Sequence, residues 1–137
     1  MGDTFIPAPG AAGWEASTPP VLALAPLAAS LAIFDEAGIP ALRAKSVALT
    51  GYLAGLLGEQ GIDVITPPDP AGRGSQLSLR CDDAETVLER LAERGVIVDF
   101  RAPDIIRVAP IPLYNTFHEV WRFARLLDEV MRGPKPA

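Results

Sequence analysis

The stretch Ile105-Ile106-Arg107-Val108-Ala109-Pro110-Ile111-Pro112-Leu113-Tyr114-Asn115 sets one arginine inside an otherwise apolar, strand-like run, and no other feature constrains the fold as much. Successive side chains of a strand point to opposite faces, so Ile106 and Val108 share one side and Arg107 takes the other. The chain must therefore build a sheet with one apolar face and one face on which a guanidinium is tolerated. Two readings of Arg107 follow. Where water is scarce, a fixed guanidinium needs a planar anion, and a carboxylate meets its fork with two parallel hydrogen bonds. On the wet face of an edge strand it needs no partner, and alternation by itself leaves both readings open.

The rest of the chain supplies the elements such a sheet requires. Residues 1–20 are rich in proline, glycine and alanine and read as an extended connector. A first helix is predicted from about Pro20 to Ala37, stopped by Gly38 and bent at Pro26. The uncharged stretch Ala16 to Phe34 approaches the length of a membrane span. It carries Pro19, Pro20 and Pro26 and is built more on alanine than on leucine, so it reads as a buried helix with an irregular start. A second helix is predicted from Pro40 to Gly58, with Leu42, Leu49, Tyr52, Leu53, Leu56 and Leu57 as its apolar stripe. Ile62 to Thr66 reads as a short strand halted by Pro67 and Pro68. After a loop, Gln76, Ser78 and Arg80 alternate with Leu77 and Leu79 in a half-buried strand. Asp82 or Asp83 can cap a third helix bearing Val87, Leu88 and Leu91 and closed by Gly95. Val96 to Phe100 and Ile105 to Ala109 read as paired strands. Thr116-Phe117-His118-Glu119 has the capping-box pattern, opening a last helix whose inward face is predicted to hold Phe117, Val120, Trp121, Ala124, Leu127 and Met131.

This order predicts an α+β fold, a mainly antiparallel sheet with helices on one face. The predicted organisation is a connector over 1–20, one domain over 21–132 and a tail over 133–137. At 137 residues the chain can bury a core without disulfides or metals. One cysteine and one histidine leave no disulfide framework and too few soft ligands for structural zinc, which fits a reducing cytoplasm. No basic, then apolar, opening of a signal peptide is read. The net charge of −5 and the scattered arginines argue against nucleic acid and against an anionic membrane surface. With 49% apolar residues and a mean hydropathy of +0.23, there is apolar surface to spare for a buried interface.

Other chemistry-bearing residues are weaker candidates. Gly72-Arg73-Gly74-Ser75-Gln76 could cradle a phosphate, but it lacks the Gly-Lys-Ser/Thr ending of a P-loop and precedes a strand, so it reads as a plain loop. Cys81 reads as a semi-buried strand-end thiol, and His118 as a solvated or capping residue of a first turn. Lys45 and Lys135 are the only lysines, and neither has the desolvated setting of a Schiff-base nucleophile. No catalytic pair is visible in the sequence.

Several segments together resemble kynureninase: Gly13-Trp14 through Ser17-Thr18-Pro19-Pro20, Leu49-Thr50-Gly51-Tyr52-Leu53, Arg73-Gly74-Ser75-Gln76-Leu77, Arg94-Gly95-Val96, Ile106-Arg107-Val108-Ala109-Pro110 and Pro112-Leu113-Tyr114-Asn115. The resemblance covers nearly the whole chain, in the family's order, and only the carboxy-terminal part of the family's enzymes. It implies the small domain of an aspartate-aminotransferase-like fold. It also implies a pyridoxal 5′-phosphate enzyme of tryptophan catabolism, a homodimer when complete, that hydrolyses kynurenine or 3-hydroxykynurenine. In that family a large domain carries the Schiff-base lysine and most phosphate contacts, so this chain alone is expected to be inactive and to bind the cofactor weakly or not at all. Arg107 stands where the family grips the substrate α-carboxylate. Thr18 stands where it reaches the cofactor phosphate and substrate ring, at a position often held by asparagine, and Ser75 replaces a frequent cysteine. Two other readings stay open: a non-catalytic α+β interaction or ligand-binding module, and the small domain of another pyridoxal-phosphate enzyme such as a cysteine desulfurase.

Overall fold

A computed structural model describes residues 5–15 and 17–133, and it divides into two compact units, one ending at Gly38 and one starting at Ile39. Ala16, Lys135 and most of the tail lie outside the described residues. In the first unit a 3-10 turn, Gly10–Trp14, precedes helix α1, Val21–Ala37. Gly38 ends α1 at φ 76°, its N–H returning to the Phe34 carbonyl at 2.9 Å. The sequence pattern predicts that α1 is buried, and this is corrected: none of its residues is buried, and Leu22 is 90% exposed. A helix apolar on every side needs cover on every side, and its own unit does not supply it. Among the described residues no single helix is long and apolar enough to cross a membrane. The division at Gly38 groups α1 with the connector, later than the boundary at residue 20 that the sequence suggests.

The second unit opens with α2, Ile39–Glu59, which buries Ser46, Leu49, Thr50, Leu53 and Leu57, one stripe at steps of three and four. Gly61, at φ 74°, turns the chain out, and the Ile62 N–H closes the helix on the Leu57 carbonyl at 3.0 Å. The expected strand over Ile62–Thr66 shrinks to one bridge, Val64 to Leu79, before Pro67 and Pro68 end the pairing. Strand β1, Leu77–Arg80, leads into α3, Ala84–Glu93. Asp83 stands at the cap position of α3 but its side chain makes no capping bond. Gly95, at φ 75°, closes α3. Strand β2, Asp99–Arg101, is shorter than the predicted Val96–Phe100 run and turns through a cis Ala102–Pro103 peptide into β3, Ile105–Val108.

The sheet is antiparallel throughout, in the order β1-β3-β2. Its inner face, Leu77, Leu79, Ile106 and Val108, packs with Leu49, Leu53 and Leu57 of α2 and Val87 and Leu91 of α3 in one core. Each such side chain contributes about 1.5–3 kcal/mol by leaving water. The last helix, α4, Phe117–Arg132, completes the core with Val120, Ala124, Leu127 and Val130. Phe117, Trp121 and Met131 flank this stripe and stay exposed, which corrects their predicted inward placement.

Both halves of the predicted capping box form at the start of α4. The Glu119 N–H donates to Thr116 Oγ1 at 3.2 Å, and the Thr116 N–H donates to Glu119 Oε2 at 2.7 Å. These bonds from Thr116, backbone first, hold the Glu119 carboxyl below its usual pKa. A carboxyl whose pKa falls on folding adds stability that is complete above its unfolded value and is lost as pH drops through its folded value. Glu119→Gln is therefore expected to lower the urea midpoint at pH 7, with the gap to the native chain closing as the pH falls below about 4; a gap independent of pH would contradict this account.

Candidate functional site

The face of the sheet turned away from α2, α3 and α4 carries the polar residues that alternation assigns to it. The register sets Ser78, Arg107 and Asp99 in one row across β1, β3 and β2, and Arg80, Ile105 and Arg101 in the next. Arg107 thus lies on the central strand, with a hydroxyl on one side and a carboxylate on the other. Its Nε donates to Oδ2 of Asp99, and its Nη2 forms an ion pair with the same oxygen. Arg101 Nε meets the same oxygen at 3.1 Å, so two guanidiniums share one carboxylate and the group keeps an excess positive charge. One strand over, Arg80 is balanced by Asp63 at 3.2 Å and Asp104 at 3.3 Å. Arg107 therefore follows neither reading alone: its side chain is 32% exposed and is paired. The Glu119 carboxylate is committed to its capping box with Thr116.

Asp99 is the residue that sequence reasoning misses. Its signal was available: a hairpin turning at Ala102–Asp104 places residue 99 opposite 107, and both have the parity of the outer face.

A second polar cluster explains the glycine-rich loop. The Thr50 hydroxyl, fully buried on α2, donates to the Ser46 carbonyl at 2.8 Å and accepts from Arg73 Nη1. Ser46 donates to Ser75 Oγ at 2.9 Å, and Arg43 donates to the Pro70 carbonyl. Arg73 and Ser75 are thus used to fasten the 70–76 loop to α2, which agrees with a plain loop rather than a phosphate cradle. Lys45 donates to the Pro112 carbonyl at 2.7 Å, tying α2 to the segment before α4.

The remaining candidates lie away from Arg107. Cys81 is buried at the end of β1, within the core. His118 is exposed and stacks on Trp121 at 5.7 Å. Thr18 is exposed just ahead of α1, in the unit that does not contain Arg107. A cavity of about 310 Å³ opens where Gly95–Val98 part from Ala109–Pro110, over Val120 and Phe123, and does not include Arg107. Its walls mix the polar side chains of Arg94, Asn115, Glu119 and Arg122 with aliphatic ones. Among the described residues, no group of three or more histidine, cysteine or acidic side chains could hold a metal.

A family model described as the kynureninase C-terminal domain matches residues 42–127. The chain belongs to the kynureninase family. It is 53% identical over 132 residues to a kynureninase of Myxococcus xanthus, covering 93% of this chain and 31% of that protein. A kynureninase of Xanthomonas euvesicatoria is 50% identical over 135 residues, with 93% and 32% covered. The chain thus spans about a third of the length of the curated kynureninases it matches. A solved structure of a NifS-like protein superposes with a TM-score of 0.68 at 23% identity, over 91% of this chain and 38% of that one, a likeness of fold alone. The matched kynureninase domain contains Arg107, Asp99 and the Thr50–Arg73 cluster, whereas Thr18 lies before it.

The half-buried and exposed arginines of this kynureninase domain should differ in their structural weight. Arg73→Ala leaves the buried Thr50 oxygen without its donor and is expected to cost about 1–2 kcal/mol in urea unfolding. Arg80→Ala, whose ion pairs are open to water, should stay within about 0.5–1 kcal/mol of the native chain. Equal losses would contradict this division.

Proposed function

We propose that this chain is the carboxy-terminal part of a pyridoxal-phosphate-dependent kynureninase that hydrolyses L-kynurenine to anthranilate and L-alanine in the cytoplasm, and that Arg107 binds the substrate α-carboxylate. The observation that carries this reading is a guanidinium at the centre of the open sheet face, in a net-positive cluster, with its Nη1 donors uncommitted among the described residues.

The described residues do not by themselves form a seat for pyridoxal phosphate. Lys45 is turned to the Pro112 carbonyl and Arg73 to Thr50, which leaves no lysine or loop arginine facing a common site. In this reading the cofactor, and the electron sink it supplies when bound, belong with the two-thirds of the relatives' length that this chain does not span. The exposed apolar surface of α1 is consistent with that part covering it, within a homodimer when complete. Thr18, exposed at the start of α1, can donate one hydrogen bond to a phosphate oxygen.

Arg107 contributes binding and orientation. A bidentate hold on the carboxylate removes rotation of the amino acid about its α-carbon and fixes which bond is presented for cleavage. The Arg107–Asp99 pair is half-solvated, so its own attraction is worth only about 0.2–1 kcal/mol and does not shut out a second carboxylate. Once substrate excludes water, the same charges interact more strongly. The burial of Cys81 disfavours a sulfur-transfer reading, which needs an accessible thiol.

The test is kynurenine cleavage followed by anthranilate fluorescence, with this chain alone and mixed with the lysine-bearing part of a kynureninase plus pyridoxal phosphate. Activity is expected only in the mixture. Arg107→Ala is expected to lower kcat/KM on the order of 100-fold, the loss of a charge-assisted hydrogen-bond pair, while Lys45→Ala leaves it unchanged. No activity in the mixture, with both parts folded, would overturn the reading and favour a non-catalytic binding module.

A further inference from the structure

The position of Asp99 carries an inference that rests on the reading of Arg107 as the carboxylate ligand. We propose that Asp99 is a positioning residue, which holds one edge of the Arg107 guanidinium and thereby presents the other edge to the substrate carboxylate.

Three observations carry this. First, Asp99 and Arg107 are direct cross-strand partners, so the backbone ladder fixes the origin of both side chains on the same face. An aspartate is short, with few rotamers, and cannot follow a long arginine away from the sheet. Arg107 is therefore drawn down to Asp99 rather than the reverse. Second, the contact is made on one edge only. Nε and Nη2 meet a single oxygen, Oδ2, while among the described residues Nη1 and the second N–H of Nη2 remain available. That terminal pair is the end-on fork that accepts a carboxylate with two parallel bonds. Third, Arg101 grips the same Asp99 oxygen at 3.1 Å, which pins the carboxylate from its own strand and leaves the cluster one positive charge in excess. The excess keeps Asp99 from neutralising the site it organises.

This arrangement separates position from stability. With side chains 32% and 47% exposed, the Arg107–Asp99 pair adds little to folding, so replacing Asp99 should leave the fold intact. What it supplies is a lower entropy cost when the guanidinium is immobilised on the ligand. The alternative role, an internal anion that competes with substrate for Arg107, makes the opposite prediction.

The experiment has two arms. In this chain, the Arg107 Nε–Hε resonance in ¹⁵N–¹H spectra is expected to be shifted and protected from solvent exchange. Both properties should be lost in Asp99→Ala and partly kept in Asp99→Asn, whose side-chain oxygen still accepts. In the mixture with the lysine-bearing part, Asp99→Ala is expected to raise KM for kynurenine about 10-fold or more, with kcat changed less than about threefold. Discrimination between kynurenine and its decarboxylated amine analogue should fall with it, a readout that a general loss of stability would not move. An unchanged Nε–Hε resonance in Asp99→Ala, or a KM that falls because a competitor has been removed, would overturn the proposal. Failure of the parent reading is distinct: Arg107→Ala would then leave activity intact whatever the Asp99 variants do.

Discussion

The antiparallel ladder that pairs β3 with β1 on one side and β2 on the other fixes the faces of all three strands at once. With Leu77 opposite Val108 and Leu79 opposite Ile106, and Phe100 of β2 beside Ile106, every inward position is apolar and the core against α2, α3 and α4 is set. The same register leaves Arg107 no place but the outer face, between Ser78 and Asp99. A one-residue slip would send Arg107 into the core and Ile106 and Val108 to water, a cost of several kcal/mol from the aliphatic pair alone. The site is thus held in place by the energetics of the opposite face, and its own ion pairs have little folding work to do.

Much of this was legible from the residues. Helix ends were marked by glycines that the chain uses at positive φ, Gly38 and Gly95, and the start of α4 by Thr116 and Glu119, whose spacing allows only one reciprocal bonding pattern. Arg107 stood out because period-two alternation puts a charge opposite an apolar pair. Other features depended on tertiary context. Ile62–Thr66 has strand composition, yet its pairing with β1 is limited to the one bridge at Val64, because two prolines end it. The inward stripe of α4 fell on Val120, Ala124, Leu127 and Val130 rather than on its larger neighbours, a choice that helical spacing alone does not make. Asp99 became visible only once the hairpin register set it opposite Arg107.

The misreading of α1 has a different physical origin. Hydropathy says that a surface must be covered but not by what. An alanine- and leucine-rich helix without a polar face carries the same signal whether its cover lies in its own domain or in another part of an assembly. Here its own unit does not bury it, and the chain spans about a third of the kynureninases it matches. Arg107 shows the same incompleteness in electrostatic form. A guanidinium paired along one edge, in a cluster with an unbalanced positive charge, satisfies its folding requirement and, in the proposed function, has its other edge for a substrate carboxylate.

The most direct measurement is a crystal structure of this chain assembled with the lysine-bearing part of a kynureninase, with kynurenine or a non-reactive carboxylate analogue bound. The account predicts both carboxylate oxygens on the terminal nitrogens of Arg107, with its Nε still on Asp99. A ligand carboxylate held elsewhere, with Arg107 facing only Asp99 and solvent, would contradict it.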